Sequence, residues 1–170
     1  MKTRRERTLE FQLLIQSEWS NHYWNFISPF TDKLSWKIIC KNPNFTWQLI
    51  QNNLQNPNLD WGSVSINPNV TEEIVRENLE LPWSWSSLSL NPNITWSLVE
   101  DNLNQFWNWT YLSKHPNLTW DIIKNNLNKP WDWYEISMHK NITWEIVNEN
   151  INLGWDWSRL SCNPNITWEI

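Results

Sequence analysis

A chain of 170 residues with a formal net charge of −5 can bury a sizeable core. It is too acidic for the general nucleic-acid affinity that a basic surface confers. No stretch approaches the ~18 apolar residues of a membrane span, and its two cysteines, Cys40 and Cys162, stand too far apart along a linear array to form a disulfide, so they read as reduced thiols.

At the N-terminus Thr3 and Glu6 have the spacing of a capping box and predict a helix over 4–17. Lys2, Arg4, Arg5 and Arg7 form the one cationic cluster. Glu10, Gln12 and Gln16 interrupt the apolar run of Leu9, Phe11, Leu13, Leu14 and Ile15, which argues against a secretory signal and for an intracellular protein. Trp19-Ser20 with Trp24 keeps a cap and staple spacing and predicts a degenerate half-unit. Residues 1–33 thus read as an N-terminal cap on a repeat array.

From Leu34 the chain repeats, as units 34–58, 59–82, 83–106, 107–130 and 131–154, with an incomplete unit 155–170. A fixed period of this length marks an array in which each unit buries its apolar face on its neighbours. Each unit has two halves of one pattern: apolar residue, capping residue, Trp, two residues, apolar residue. The capping column is Ser35, Thr46, Asp60, Thr71, Ser84, Thr95, Asn108, Thr119, Asp132, Thr143, Asp156 and Thr167. Each side chain can accept a hydrogen bond from an orphan N–H of a first helical turn. The flanking apolar pairs, such as Ile94 with Val99 and Ile142 with Val147, have the spacing of a hydrophobic staple.

Seven residues past each cap stands an asparagine or histidine: Asn42, Asn53, Asn67, Asn78, Asn91, Asn102, His115, Asn126, His139, Asn150 or Asn163. Both residue types tolerate the left-handed conformation that ends helices. Pro43, Pro68, Pro92, Pro116 and Pro164 then block continuation. The pattern predicts an all-α solenoid of roughly 12 short paired helices, α/α or α/3₁₀, of about two turns each. The last of these begins at Thr167 and leaves an open end able to self-associate.

Little in this pattern points to catalysis, a metal or a cofactor. His115 and His139 lie in the helix-ending column one period apart, too far to share an ion easily, and neither cysteine pairs with a histidine. The Ser89, Ser113, Ser137 and Ser161 column is one of many. The Asn-Pro loops are not the glycine-rich cradle a phosphate needs. Asn-x-Thr triplets such as Asn93-Ile94-Thr95 recur because Thr is the cap.

Tryptophan follows the cap in 11 of 12 half-units, with Glu72 the exception, and this column reads as packing between repeats. The column Trp83, Trp107, Trp131 and Trp155 is replaced by Leu34 and Leu59 in the first two units; it reads first as packing, with an exposed aromatic ladder as the alternative. Glu73, Asp121, Glu145 and Glu169, with Glu77, Asp101 and Glu149, could form an acidic face for a basic partner.

The segments Leu160-Ser161-Cys162-Asn163-Pro164-Asn165-Ile166-Thr167-Trp168 and Leu88-Ser89-Leu90-Asn91-Pro92-Asn93-Ile94-Thr95-Trp96 resemble the Trp- and Asn-rich tandem repeats of giant amoeba-infecting DNA viruses. The resemblance covers about 34–170 and implies a viral origin and a place in the host cytoplasm. More distantly, the period with Asn-Pro after a short helix resembles the variant leucine-rich repeat, which alternates α- and 3₁₀-helices. The iron–sulfur centre of some of its members needs a cysteine cluster that this chain lacks.

The expected function is a non-enzymatic scaffold that binds another macromolecule, a protein, along a solenoid face. The expected contacts are the varying exposed residues Arg76, Glu77, Asp101, Lys124, Tyr134 and Glu149. The alternatives are a carbohydrate-binding array on the tryptophan ladder and a fragment of a longer array with no separate role.

Overall fold

The computed structural model describes residues 3–167, and these are entirely helical and turn, with no strand. Helix α1 spans Arg4–Ile27 and is closed at its start by the expected capping box. The Thr3 N–H donates to Glu6 Oε2 at 2.6 Å, and the Glu6 N–H donates to Thr3 Oγ1 at 3.2 Å. The helix runs straight through Trp19 and Ser20, so these do not start a half-unit of their own. The reason is local: no proline or glycine interrupts the chain between Arg4 and Ile27, so nothing forces a break at Trp19 and Ser20. A 3₁₀ turn at Ser28–Phe30 ends it, with proline in the first turn.

Eleven short helices follow among the described residues: α2 Trp36–Ile39, α3 Trp47–Asn52, α4 Trp61–Ser65, α5 Glu72–Glu77, α6 Trp85–Leu88, α7 Trp96–Asp101, α8 Trp109–Ser113, α9 Trp120–Asn125, α10 Trp133–Ser137, α11 Trp144–Glu149 and α12 Trp157–Leu160. Every one begins on the residue after its predicted cap. The caps Asp60, Thr71, Asn108, Thr119, Asp132 and Asp156 accept an N–H of their first turn through the side chain. The helix expected after Thr167 lies outside the described residues.

With four to six residues each, the helices are shorter than the expected two turns. Their C-terminal N–H groups bond three residues back, as Asn67 N to Val64 O and Asn126 N to Ile123 O, so each helix tightens into a turn instead of running on. No non-glycine residue among those described has a positive φ. The asparagine column therefore does not end helices through the left-handed conformation; Asn78, Asn102, Asn126 and Asn150 sit at φ between −139° and −128°.

The chain forms two compact units, Met1–Ser84 and Trp85–Ile170, a division that falls inside the repeat 83–106. Each is a solenoid-like stack of helix pairs. Within the second unit α10 packs against both α8 and α12, and within the first α2 packs against α4, so first helices of successive repeats form a row. The core is the pair of staple columns. Phe45, Ile50, Val64, Val70 and Val75 are fully buried in the first unit, and Leu88, Val99, Ile123, Ile136, Ile142 and Val147 in the second. Each such side chain stabilises by ~1.5–3 kcal/mol when removed from water. Helices this short have no stability of their own, so these columns hold them.

Candidate interaction surface

Three columns of polar groups tie each repeat to the one before it. In the first, the serine Oγ accepts a backbone N–H of the next repeat's cap: Ser84 N to Ser65, Asn108 N to Ser89, Asp132 N to Ser113 and Asp156 N to Ser137, all at 2.9–3.0 Å. Ser65, Ser89 and Ser137 also donate to the carbonyl four residues back. Cys40 stands at the head of this column, where its sulfur accepts from the Asp60 backbone; burial raises its thiol pKa above the ordinary value.

In the second, the Asn67 amide donates to the carbonyls of Cys40, Asn42 and Phe45 in the preceding repeat, while its Oδ1 accepts the Asn69 N–H. Asn163 does the same toward Ser137 and His139. His115 and His139 imitate that amide. Nε2–H donates to the carbonyl of Asn91 or His115 at 2.9 and 3.0 Å, and Nδ1 accepts the N–H of Asn117 or Asn141. Both rings are buried, and desolvation lowers their pKa values below the ordinary histidine range. Neither nitrogen is left for a metal. Among the described residues no group of three His, Cys, Asp or Glu could hold an ion.

The third column is the one in which an exposed aromatic ladder was the alternative to packing. Trp83, Trp107, Trp131 and Trp155 are buried, with only 5–7% of their surface exposed. Each indole N–H donates to the carbonyl five residues back, that of Asn78, Asn102, Asn126 or Asn150, at 2.7–2.9 Å. Each asparagine in turn donates its amide to a carbonyl four residues back. The rings are also clamped: Trp83 between Trp47 and Trp61, Trp131 between Trp96 and Trp109, and Trp155 between Trp120 and Trp133. A sugar has no access to these faces. The post-cap tryptophans are less buried, Trp144 and Trp157 being exposed. Packing is thus tight in this column, where exposure had been the alternative, because two flanking indoles close on the ring at Trp83, Trp131 and Trp155.

The concave sites add little chemistry. A 330 Å³ groove between α1 and α3, lined by Leu13, Ser17, Asn21, Trp47, Leu49 and Asn52, holds no titratable group. A crevice in the second unit, between Trp96 and His115, has room for about one water molecule. Comparison of the chain with family models, with curated proteins and with solved structures gives no match in any of the three. No described helix is long and apolar enough to cross a membrane.

What remains is the set of positions at which the repeats differ. Of the expected contact residues, Arg76 and Glu77 lie on α5, Asp101 on α7, Lys124 on α9 and Glu149 on α11, all second helices. Glu77, Asp101, Lys124 and Glu149 are exposed, whereas Arg76 is half-buried and paired with Glu72 at 2.8 Å.

Tyr134, the sixth, stands apart on α10 and belongs to a cluster. The Arg159 guanidinium lies 3.7 Å from the centre of its ring. Lys114 Nζ reaches Glu135 Oε1 at 3.5 Å and sits 5.2 Å from the Tyr111 ring. These five side chains come from α8, α10 and α12 and from the turn after α8, along the row of first helices. Arg159 Nε is buried and makes no hydrogen bond among the described residues. Sequence reasoning missed Tyr111, Lys114, Glu135 and Arg159. The available signal was variability within a register: one column reads Ile38, Ser63, Ser87, Tyr111, Glu135, Arg159.

Proposed function

We propose that the chain is a non-enzymatic scaffold that binds a protein partner through the row of first helices in the unit Trp85–Ile170. The carrying observation is the Tyr134–Arg159 stack, with its buried and unsatisfied Arg159 Nε, set beside Tyr111, Lys114 and Glu135. Tyrosine and arginine are the residues that concentrate binding energy at protein interfaces. An arginine held against a ring loses little freedom on binding. The acidic net charge and the burial of the tryptophan column make nucleic acid and carbohydrate poorer candidates.

A photo-crosslinking amino acid placed at Tyr134 tests this in cells, with the same group at Glu149 as the comparison. One discrete protein adduct at position 134, lost when Arg159→Ala is added, is the expected result. Adducts only at position 149 would move the contact to the second helices. Tryptophan fluorescence that responds to a glycan would return the carbohydrate reading.

A further inference from the structure

Helix α1 carries an apolar stripe that the repeats do not cover. Ser20 and Ile27 are buried and Tyr23 and Trp24 half-buried, which marks the face of α1 turned to the repeats. At the α-helical period, Phe11, Ile15, Trp19 and Phe26 fall on one side turned away from that face. They are 64%, 40%, 63% and 76% exposed, and Leu14 beside them 57%. An aromatic side chain offers roughly 150–250 Å², so the three rings alone leave about 400 Å² in water, and the stripe about 500–600 Å² with Ile15 and Leu14. That is at the upper end of the ~300–600 Å² patches that monomers tolerate.

We infer that α1 is a homodimerisation helix, paired antiparallel with α1 of a second copy. Two such stripes together bury on the order of 1,000–1,200 Å², about the lower bound of a specific stable interface. Phe11, Ile15 and Trp19 are spaced four and four, a pattern that is its own reverse about Ile15. A two-fold axis at Ile15 therefore sets each Phe11 against the second copy's Trp19, as an isologous contact requires. In that register Arg4 meets the Phe26 ring of the other copy, a cation–π geometry. Parallel pairing would instead place Arg4, Arg5 and Arg7 beside their own duplicates, and Glu18 beside Glu18. An anionic lipid surface is the weaker occupant: Glu6, Glu10 and Glu18 balance the three arginines of α1, and the chain is acidic as a whole.

Light scattering on the full chain across a concentration series tests the pairing, with Phe11→Glu and Trp19→Glu as variants. Both positions are exposed, so the fold should survive, and circular dichroism checks that it does. The expected result is a wild-type dimer, with self-association weakened at least roughly tenfold in each variant. Orientation is read in a Cys162→Ser background: Ile15→Cys, on the axis, should form a disulfide-linked dimer on mild oxidation, and Phe26→Cys should not. A chain that stays monomeric, or a dimer that persists in both glutamate variants, overturns the inference. So does association lost only in Trp168→Ser, which would place the contact at the other end of the chain. None of these outcomes bears on the Tyr134–Arg159 surface, which belongs to the other compact unit.

Discussion

His139 donates its Nε2–H to the backbone carbonyl of His115, 3.0 Å away, while its Nδ1 accepts the N–H of Asn141 at 3.3 Å. His115 repeats the arrangement one period earlier, toward Asn91 and Asn117. Each ring therefore needs one protonated and one bare nitrogen, and only the neutral tautomer provides both. The imidazole acts as an amide in a column that elsewhere uses asparagine.

Acid should consequently loosen the second unit before it affects the carboxylates. Burial lowers both histidine pKa values, so the unfolded chain takes up protons first as the pH falls. Stability should be level above the unfolded pKa of ~6.5, fall as the pH drops below it, and stop falling from this cause once the folded rings protonate. Thermal melts between pH 7.5 and 5 measure it. The double variant His115→Asn, His139→Asn keeps the donor and acceptor pair and should flatten that slope. An unchanged slope in the variant would assign the effect to other groups.

The serine column makes a second, sharper prediction. Ser137 is fully buried, accepts the Asp156 N–H at 2.9 Å and donates to the Trp133 carbonyl at 2.7 Å. Ser137→Ala leaves a main-chain N–H without its partner, a loss of ~1–3 kcal/mol. Cys40 fills the same place in the first repeat and already accepts from Asp60 through a weaker acceptor. Cys40→Ser should therefore be tolerated within about 1 kcal/mol. Denaturant melts of the two variants side by side decide it, and equal losses would mean that volume, not the hydrogen bond, governs the column.

The tryptophan clamp predicts an asymmetry between two indoles of adjacent repeats. Trp131 is buried between Trp96 and Trp109 and bonded to the Asn126 carbonyl, while Trp157 is 54% exposed. Trp131→Ala should cost ~3–5 kcal/mol, as large aromatic truncations in cores do, and Trp157→Ala much less. Trp131→Phe should fall between, because it keeps a ring and strands the carbonyl. Comparable losses at 131 and 157 would contradict the burial order.

Local chemistry was legible in the sequence, and chemistry between repeats was not. The caps fall on the residue because a side chain reaching its own first turn depends on three neighbours; Asp60, Asn108 and Asp156 needed nothing further away. The asparagine column was visible as a pattern, but its partners lie 22–27 residues back, and the amide's hold on Cys40, Asn42 and Phe45 has no signature in sequence. The two tryptophan columns look alike as apolar positions. Which is buried depends on Trp47 and Trp61 converging on Trp83, a tertiary fact. The Tyr111–Lys114–Tyr134–Glu135–Arg159 cluster was hidden for the same reason: its members become neighbours only when α8, α10 and α12 stack.

That cluster should be dispensable for folding. Tyr134 is 49% exposed, and the Lys114–Glu135 pair joins a side chain 44% exposed to one 22% exposed, a setting in which ion pairs contribute little. Tyr134→Ser and Lys114→Ser should each shift stability by less than about 1 kcal/mol. Arg159→Ala should be no worse and could stabilise, because it removes a buried N–H that makes no hydrogen bond among the described residues. Unfolding curves for the three single variants and the triple variant check the point. A loss at Arg159→Ala as large as that at Ser137→Ala would mean that the stack on Tyr134 braces the array and is not held in reserve for a partner.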